Sequence, residues 1–200
     1  MAIYATRGAP PTTLTDREVR LVLGETGRTS RTLRDHVLLS LALGSGAREH
    51  ELAALDRADV VLPGGEIRRR VKLRTFKGCR GASRATANRQ WLVLAPECRR
   101  KLKLYVRGLP RGPLFPSQKG GRLATRTIRE LWQKVQLRAG LERHHPFHAL
   151  RHTYLSNLYD RTRNPVLVQR AGRHASMETT LIYVAVSDEQ QERAHQSIPC

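Results

Sequence analysis

The run His148-Ala149-Leu150-Arg151-His152-Thr153 holds the densest chemistry in the chain, and the reading of everything else turns on it. It opens a helix expected from near Phe147. Residues three apart share one face of a helix, so His148 and Arg151 can address a single group together. Upstream, Gly46-Ala47-Arg48-Glu49-His50-Glu51-Leu52 sets a second arginine three residues ahead of a carboxylate, and Glu51 is placed to orient Arg48. Downstream, His174 precedes Tyr183 by nine residues, as in His174-Ala175-Ser176-Met177-Glu178-Thr179-Thr180-Leu181-Ile182-Tyr183.

Taken singly, each of these residues has an ordinary explanation. An arginine among 36 lysines and arginines is usually solvated. His148 and His152 can cap a helix or satisfy a polar group in the core, and Tyr183 can be a core aromatic with its hydroxyl at the surface. Together they suit a phosphodiester. Guanidinium forks bind non-bridging oxygens and stabilise the charge that grows on a pentacoordinate phosphorus. A tyrosine hydroxyl, with a free pKa of about 10, needs nearby cations and a histidine base to lose its proton. No carboxylates cluster in the sequence, so a two-metal mechanism is not suggested.

The composition agrees. Of 200 residues, 40% are hydrophobic and 26% charged, which supports an ordinary globular core. Lys+Arg of 36 against Asp+Glu of 17 leaves a net charge of +19, and the pI is near 11.3. That excess repels itself unless a polyanion offsets it, and nucleic acid leads over a ribosomal partner or an anionic membrane. Three cysteines, Cys79, Cys98 and Cys200, suit neither a disulfide framework nor a zinc site. No segment approaches the roughly 18 apolar residues of a membrane span, and the first residues lack a signal-peptide core. A cytoplasmic, nucleoid-associated protein without membrane contact is expected.

Along the chain, residues 1–13 read as an arm, and Thr15-Asp16-Arg17-Glu18 has the form of a capping box that starts a helix. Thr29 or Ser30 caps a second helix carrying Leu33, Val37, Leu38 and Leu41, which stops at Gly44-Ser45-Gly46. A third carries Arg48, Glu51, Leu52 and Leu55. Val60-Val61-Leu62, a Pro-Gly-Gly turn and Glu66 to Leu73 read as a β-hairpin. Lys77 to Asn88 is a basic loop, and Trp91 to Leu94 a further strand. Helices follow over about 97–107 and from near Thr125, Phe147, Pro165 and Ser176. The fold class is mainly α with a small antiparallel β-sheet.

With these residues in place, Gly46-Ala47-Arg48…Glu51-Leu52, His148-Ala149-Leu150-Arg151-His152-Thr153 and His174…Tyr183 resemble the tyrosine recombinase (phage integrase) family. Leu114-Phe115-Pro116-Ser117, Arg138-Ala139-Gly140-Leu141 and Thr179-Thr180-Leu181-Ile182-Tyr183 agree with it. The resemblance implies that residues 14–187 form the catalytic domain and that the tail 188–200 packs on a neighbouring protomer. It implies Arg48, His148 and Arg151 around the scissile phosphate, His174 as a further donor and Tyr183 as the nucleophile. It also implies a lysine that protonates the leaving 5′ oxygen: Lys77 fits best, with Lys72 as the alternative. The expected activity is site-specific recombination of double-stranded DNA through a 3′-phosphotyrosine, by a homotetramer and without metal or cofactor. A type IB topoisomerase-like nicking-closing enzyme and a catalytically silent DNA-binding regulator of the same fold are the rival readings.

The sequence departs from the family in three places. Gly172-Arg173-His174 stands where Leu-Gly-His is usual, and Gly172 is expected to serve the turn instead. The loop Cys79 to Arg89 is longer and richer in arginine. No separate N-terminal helical domain is expected, which leaves a short invertase-like protein, a catalytic fragment, or a partner to a larger recombinase or accessory DNA-binding protein.

Overall fold

A computed structural model describes residues 12–26, 33–73, 91–174 and 177–184. The first helix, α1 (Asp16–Thr26), begins at the expected capping box. The Thr15 N–H donates to Oε2 of Glu18 at 2.7 Å, and the Glu18 N–H donates to Oγ1 of Thr15 at 3.2 Å. Two backbone donors that the helix leaves unpaired are thereby satisfied. The second carboxylate oxygen of Glu18 reaches Nε2 of His145 at 3.0 Å and ties α1 to a distant loop.

The next helix, α2 (Leu33–Ser45), is the centre of the fold. Val37, Leu38, Leu39, Leu41 and Ala42 are all fully buried, so apolar residues surround the helix instead of forming one stripe. It packs against α1, α3 (Glu49–Ala54), α5 (Pro96–Tyr105) and α7 (His148–Thr162). The approach to α5 is close: a Cβ on Gly44 would stand 2.4 Å from Sγ of Cys98. Any larger residue there would have to displace the Cys98 side chain.

The sheet differs in detail from the expected hairpin. Val60 ends a short helix, α4 (Arg57–Val60), because the Asp56 N–H donates to Oδ2 of Asp59 at 2.8 Å and closes a helical turn. Across the Pro63-Gly64-Gly65 turn only Val61 and Ile67 bridge. The pairing moves downstream, where β1 (Arg70–Lys72) runs antiparallel to β2 (Trp91–Val93). Val71 and Leu92 face each other and enter the core, while Lys72 and its cross-strand neighbour Trp91 point to solvent. A small antiparallel sheet in a mainly helical chain is present.

Two contacts set the position of α7. In α6 (Thr125–Arg138), Nε1 of Trp132 donates to the His145 carbonyl at 2.7 Å, and the Gln136 amide brackets His145 from both sides. The connection into α7 therefore has a fixed path. From the other side, the Leu14 N–H donates at 2.8 Å to Oγ1 of Thr153, in the second turn of α7.

Beyond α7, Asn164 caps α8 (Pro165–Gly172) by accepting from the Leu167 N–H at 3.1 Å, with Pro165 in the first helical position. A last turn, α9 (Glu178–Leu181), leads to Tyr183. Leu155, Tyr159, Val168 and Tyr183 form a small apolar cluster apart from the main core. Among the described residues no helix is long and apolar enough to cross a membrane. Thr29, Ser30, Lys77 with its loop, Cys79, Ser176, residues 1–11 of the expected arm and the tail 188–200 lie outside the described residues.

Candidate active site

Arg48 does not sit inside a helix, as the sequence suggested, but caps one. Its backbone is extended at the N-terminus of α3, and its N–H donates to Oε2 of Glu51 at 2.7 Å. Its side chain turns back, with Nη1 2.9 Å from Oε1 of the same carboxylate. The spacing that suggested Glu51 as the orienter of Arg48 is realised in both bonds. Glu51 is itself buried, and its carboxylate also receives Nη2 of Arg173 at 2.6 Å.

Arg151 lies one turn into α7 and is buried. Its Nη1 donates to the Gly46 carbonyl at 2.7 Å and its Nη2 to the Gly172 carbonyl. Arg173 reaches that same Gly46 carbonyl from the other side at 3.3 Å. Three guanidiniums thus gather around one carboxylate and one carbonyl. Burial opposes ionisation of Glu51, but Arg173, the Arg48 N–H and the charges of Arg48 and Arg151 outweigh it and hold the carboxyl below its usual range. Arg151 is pushed down to about 9 by burial and then by Arg48 and Arg173, and it stays charged at neutral pH.

His148 begins α7 and meets His152 one turn later, edge to face, with ring centroids 4.7 Å apart. Nδ1 of His152 lies 2.6 Å from the Tyr183 hydroxyl. Burial, then the charges of His148 and Arg151, push His152 down to about 4, so its ring is neutral at pH 7. With the proton assigned to Nε2, the Tyr183 hydroxyl donates to a bare Nδ1. Burial raises the Tyr183 pKa against the opposing pull of Arg151 and Arg48, so the resting phenol is protonated. His148 is also lowered, first by burial and then by Arg151 and Arg48.

His174 takes a different post. Its Nδ1 lies 2.9 Å from Oγ1 of the buried Thr180, and its ring stacks on Tyr183 at 6.1 Å and 14° without a hydrogen bond to the hydroxyl. Burial and the charges of Arg151, Arg48 and Arg173 bring it down to about 4.

The turn ahead of His174 is not made as expected. The left-handed conformation falls on Arg173, with φ 54°, and not on Gly172. For a non-glycine residue this costs on the order of 1–2 kcal/mol. Gly172 is needed for space: a Cβ there would stand 2.8 Å from Nε2 of His174.

The structure therefore brings Arg48, His148, Arg151, His174 and Tyr183 into one connected cluster. Lys72 lies on the exposed face of β1, with no contact to that cluster described, and Lys77 is outside the described residues. Two further residues, His152 and Arg173, join the cluster. His152 alone reads as a cap or core residue, yet its position one turn after His148 puts both rings on one face of α7. Arg173 reads in the sequence only as a replacement for glycine. Among the described residues no three His, Cys, Asp or Glu side chains stand close enough to hold a metal ion.

Comparison with known proteins follows the same lines. The phage integrase family matches this chain over residues 12–190. Tyrosine recombinase XerC of Haemophilus ducreyi is 34% identical over 153 residues, 76% of this chain and 47% of that protein. Tyrosine recombinase XerD of Corynebacterium glutamicum is 30% identical over 187 residues, 88% of this chain and 58% of that one. The chain spans about half the length of the curated relatives it matches. Among solved structures, the XerH site-specific recombinase superposes with a TM-score of 0.73 at 24% identity, covering 98% of this chain and 57% of that one. The catalytic domain of bacteriophage HP1 integrase superposes with a TM-score of 0.61 at 18% identity, covering 93% and 94%. A match across nearly the whole chain, on a fold shared with recombinase catalytic domains, places this protein in the phage integrase family.

Proposed function

We propose that residues 14–187 are the catalytic domain of a site-specific DNA recombinase that cuts and rejoins strands through Tyr183. The observation that carries this reading is the 2.6 Å contact of the Tyr183 hydroxyl with a neutral imidazole, inside a site ringed by Arg48 and Arg151. A nucleophile, a proton acceptor and fixed positive charge are the requirements of transfer to a phosphodiester without a metal.

Tyr183 Oη attacks the phosphorus as its proton passes to Nδ1 of His152. Arg48, Arg151 and His148 bind the non-bridging oxygens, and His174 donates a further hydrogen bond. The bond from phosphorus to the 5′ oxygen breaks, and Lys77 supplies the proton that this oxygen needs, with Lys72 as the alternative donor. The product is a 3′-phosphotyrosine and a free 5′-hydroxyl. A second 5′-hydroxyl reverses the step, so rejoining needs no external energy source.

Double-stranded DNA is the proposed partner. The net charge of +19 favours it, and the neighbouring XerH and Tn1549 integrase structures hold DNA. We place the protein on the nucleoid, working as a homotetramer with the tail 188–200 on a neighbouring protomer, alone or beside a larger recombinase or accessory DNA-binding protein.

The test is covalent trapping. A pool of nicked duplexes of random sequence should yield a protein–DNA adduct that survives denaturant. Tyr183→Phe should abolish the adduct and leave duplex binding nearly unchanged. Adduct formation by the Phe variant at the wild-type level would overturn the assignment.

A further inference from the structure

Arg173 occupies a position that would be relaxed with glycine, and it is held there by buried contacts. Its Nη2 meets Oε2 of Glu51 at 2.6 Å, with both side chains 5% exposed. The same nitrogen reaches the Gly46 carbonyl at 3.3 Å, and Nη1 reaches the Ala171 carbonyl at 3.2 Å. Its Nε is buried without a hydrogen-bond partner. A side chain that serves only as spacer has no need of this placement.

The charges explain it. Arg48 is the more accessible member of the cluster, its side chain 29% exposed, and its guanidinium is paired with Oε1 of Glu51. A phosphate arriving at Arg48 competes with that carboxylate. With Arg48, Arg151 and Glu51 alone, one of the two positive charges is cancelled. Arg173 pairs with the other carboxylate oxygen and offsets its negative charge. Glu51 thus keeps its bond to the Arg48 N–H while the accessible Arg48 guanidinium is free to turn to a phosphate, with the buried charge of Arg151 behind it. A buried carboxylate without such a partner would rely on Arg48 for compensation.

We propose that Arg173 is a positioning residue that neutralises Glu51 from the protein side and so frees Arg48 to bind the DNA phosphate. The role rests on the proposed DNA-cleaving function for its catalytic consequence, but its charge effect is measurable on binding alone. Arg173 does not touch the phosphate itself. It acts through Glu51 on Arg48.

The sign of a double-substitution cycle decides the matter. Duplex binding is measured against salt in a Tyr183→Phe background for Arg173→Gly, Arg173→Gln, Glu51→Gln and the paired variants. Arg173→Gly relieves the left-handed backbone, and Arg173→Gln keeps the backbone and removes only the charge. Both should lower the log–log salt slope by about 0.9, the loss of one phosphate contact. Adding Glu51→Gln to either should restore the slope, because the carboxylate that captures Arg48 is gone. In the Tyr183 enzyme, single-turnover cleavage should fall by about 10²-fold in each Arg173 variant, the order expected for one lost charge-stabilising group, and recover at least partly with Glu51→Gln. A merely structural Arg173 would give the opposite pattern, with Glu51→Gln deepening the loss. An unchanged slope in Arg173→Gln, or a double variant worse than the single, overturns the proposal. Failure of the Tyr183 enzyme to form any adduct would overturn the cleavage reading, while the binding slopes still decide the role of Arg173.

Discussion

The Tyr183 hydroxyl and Nδ1 of His152 stand 2.6 Å apart, joining the last described turn of the chain to the second turn of α7. The bond pairs a phenol whose pKa is raised by burial with an imidazole whose pKa is lowered to about 4. Each partner is in its neutral form at pH 7, and proton transfer between them is uphill until a bound phosphate changes the field. A negative phosphate beside His152 favours the imidazolium and makes the ring a better acceptor.

That relationship predicts a pH profile. His152 accepts a proton only when its ring is neutral, so single-turnover cleavage should be level through neutral pH and fall in acid as His152 protonates toward about 4. His152→Gln keeps a hydrogen-bond acceptor but takes no proton. It should slow cleavage by about 10²–10⁴-fold and leave DNA affinity unchanged. Near-wild-type cleavage by this variant would move the base elsewhere.

Stability should share the acid side of the profile. His152 and His174 have folded pKa values near 4 against ordinary values of 6.5. Between those values the unfolded chain binds protons that the folded chain refuses, so acid draws the equilibrium toward unfolding. The melting temperature should fall as pH drops from 6.5 to 4. His174→Gln should flatten part of that decline, which calorimetry across the range would measure.

Gly172 offers a steric prediction. A methyl group at this position meets the His174 ring at 2.8–2.9 Å, closer than real Cβ contacts. Gly172→Ala should turn His174 out of its bond with Thr180 and reduce cleavage by more than it reduces affinity. Adduct kinetics alongside an equilibrium binding titration separate the two. Equal cleavage by Gly172→Ala would show that the ring has room the structure denies it.

Lys77 is tested by chemistry at the leaving group. A sulfur in place of the 5′-bridging oxygen departs without needing a proton. Lys77→Ala should therefore lose about 10²–10⁴-fold on ordinary DNA and recover nearly fully on the sulfur substrate. Equal impairment on both makes Lys77 a binding residue and directs the same test to Lys72.

Much of this site was readable because its residues come in short, ordered motifs. Arg48 with Glu51, His148 with Arg151, and His174 with Tyr183 are each spaced by local geometry, so the sequence displays their pairing. His152 and Arg173 depend on partners 31 and 122 residues away, and no local pattern announces such contacts. Arg173 was hidden further because a large cation is an unexpected occupant of a left-handed turn. The misjudged start of the hairpin has a different cause. Val60-Val61-Leu62 is a short apolar run, which periodicity alone cannot assign to helix or strand. The Asp56 and Asp59 pair just ahead of it was the capping signal that decides for a helical turn.

Gly172 and Arg173 are adjacent residues under opposite constraints, one of space and one of backbone. Position 172 has no unusual backbone requirement but no volume to spare beside the His174 ring. Position 173 carries backbone strain of modest size, and what its side chain does is decided by its distant partners. A substitution at position 173 alters the charge behind Glu51 and leaves the space that the His174 ring occupies untouched. Charge and shape at this turn are set by separate neighbouring residues, so one is adjustable without the other.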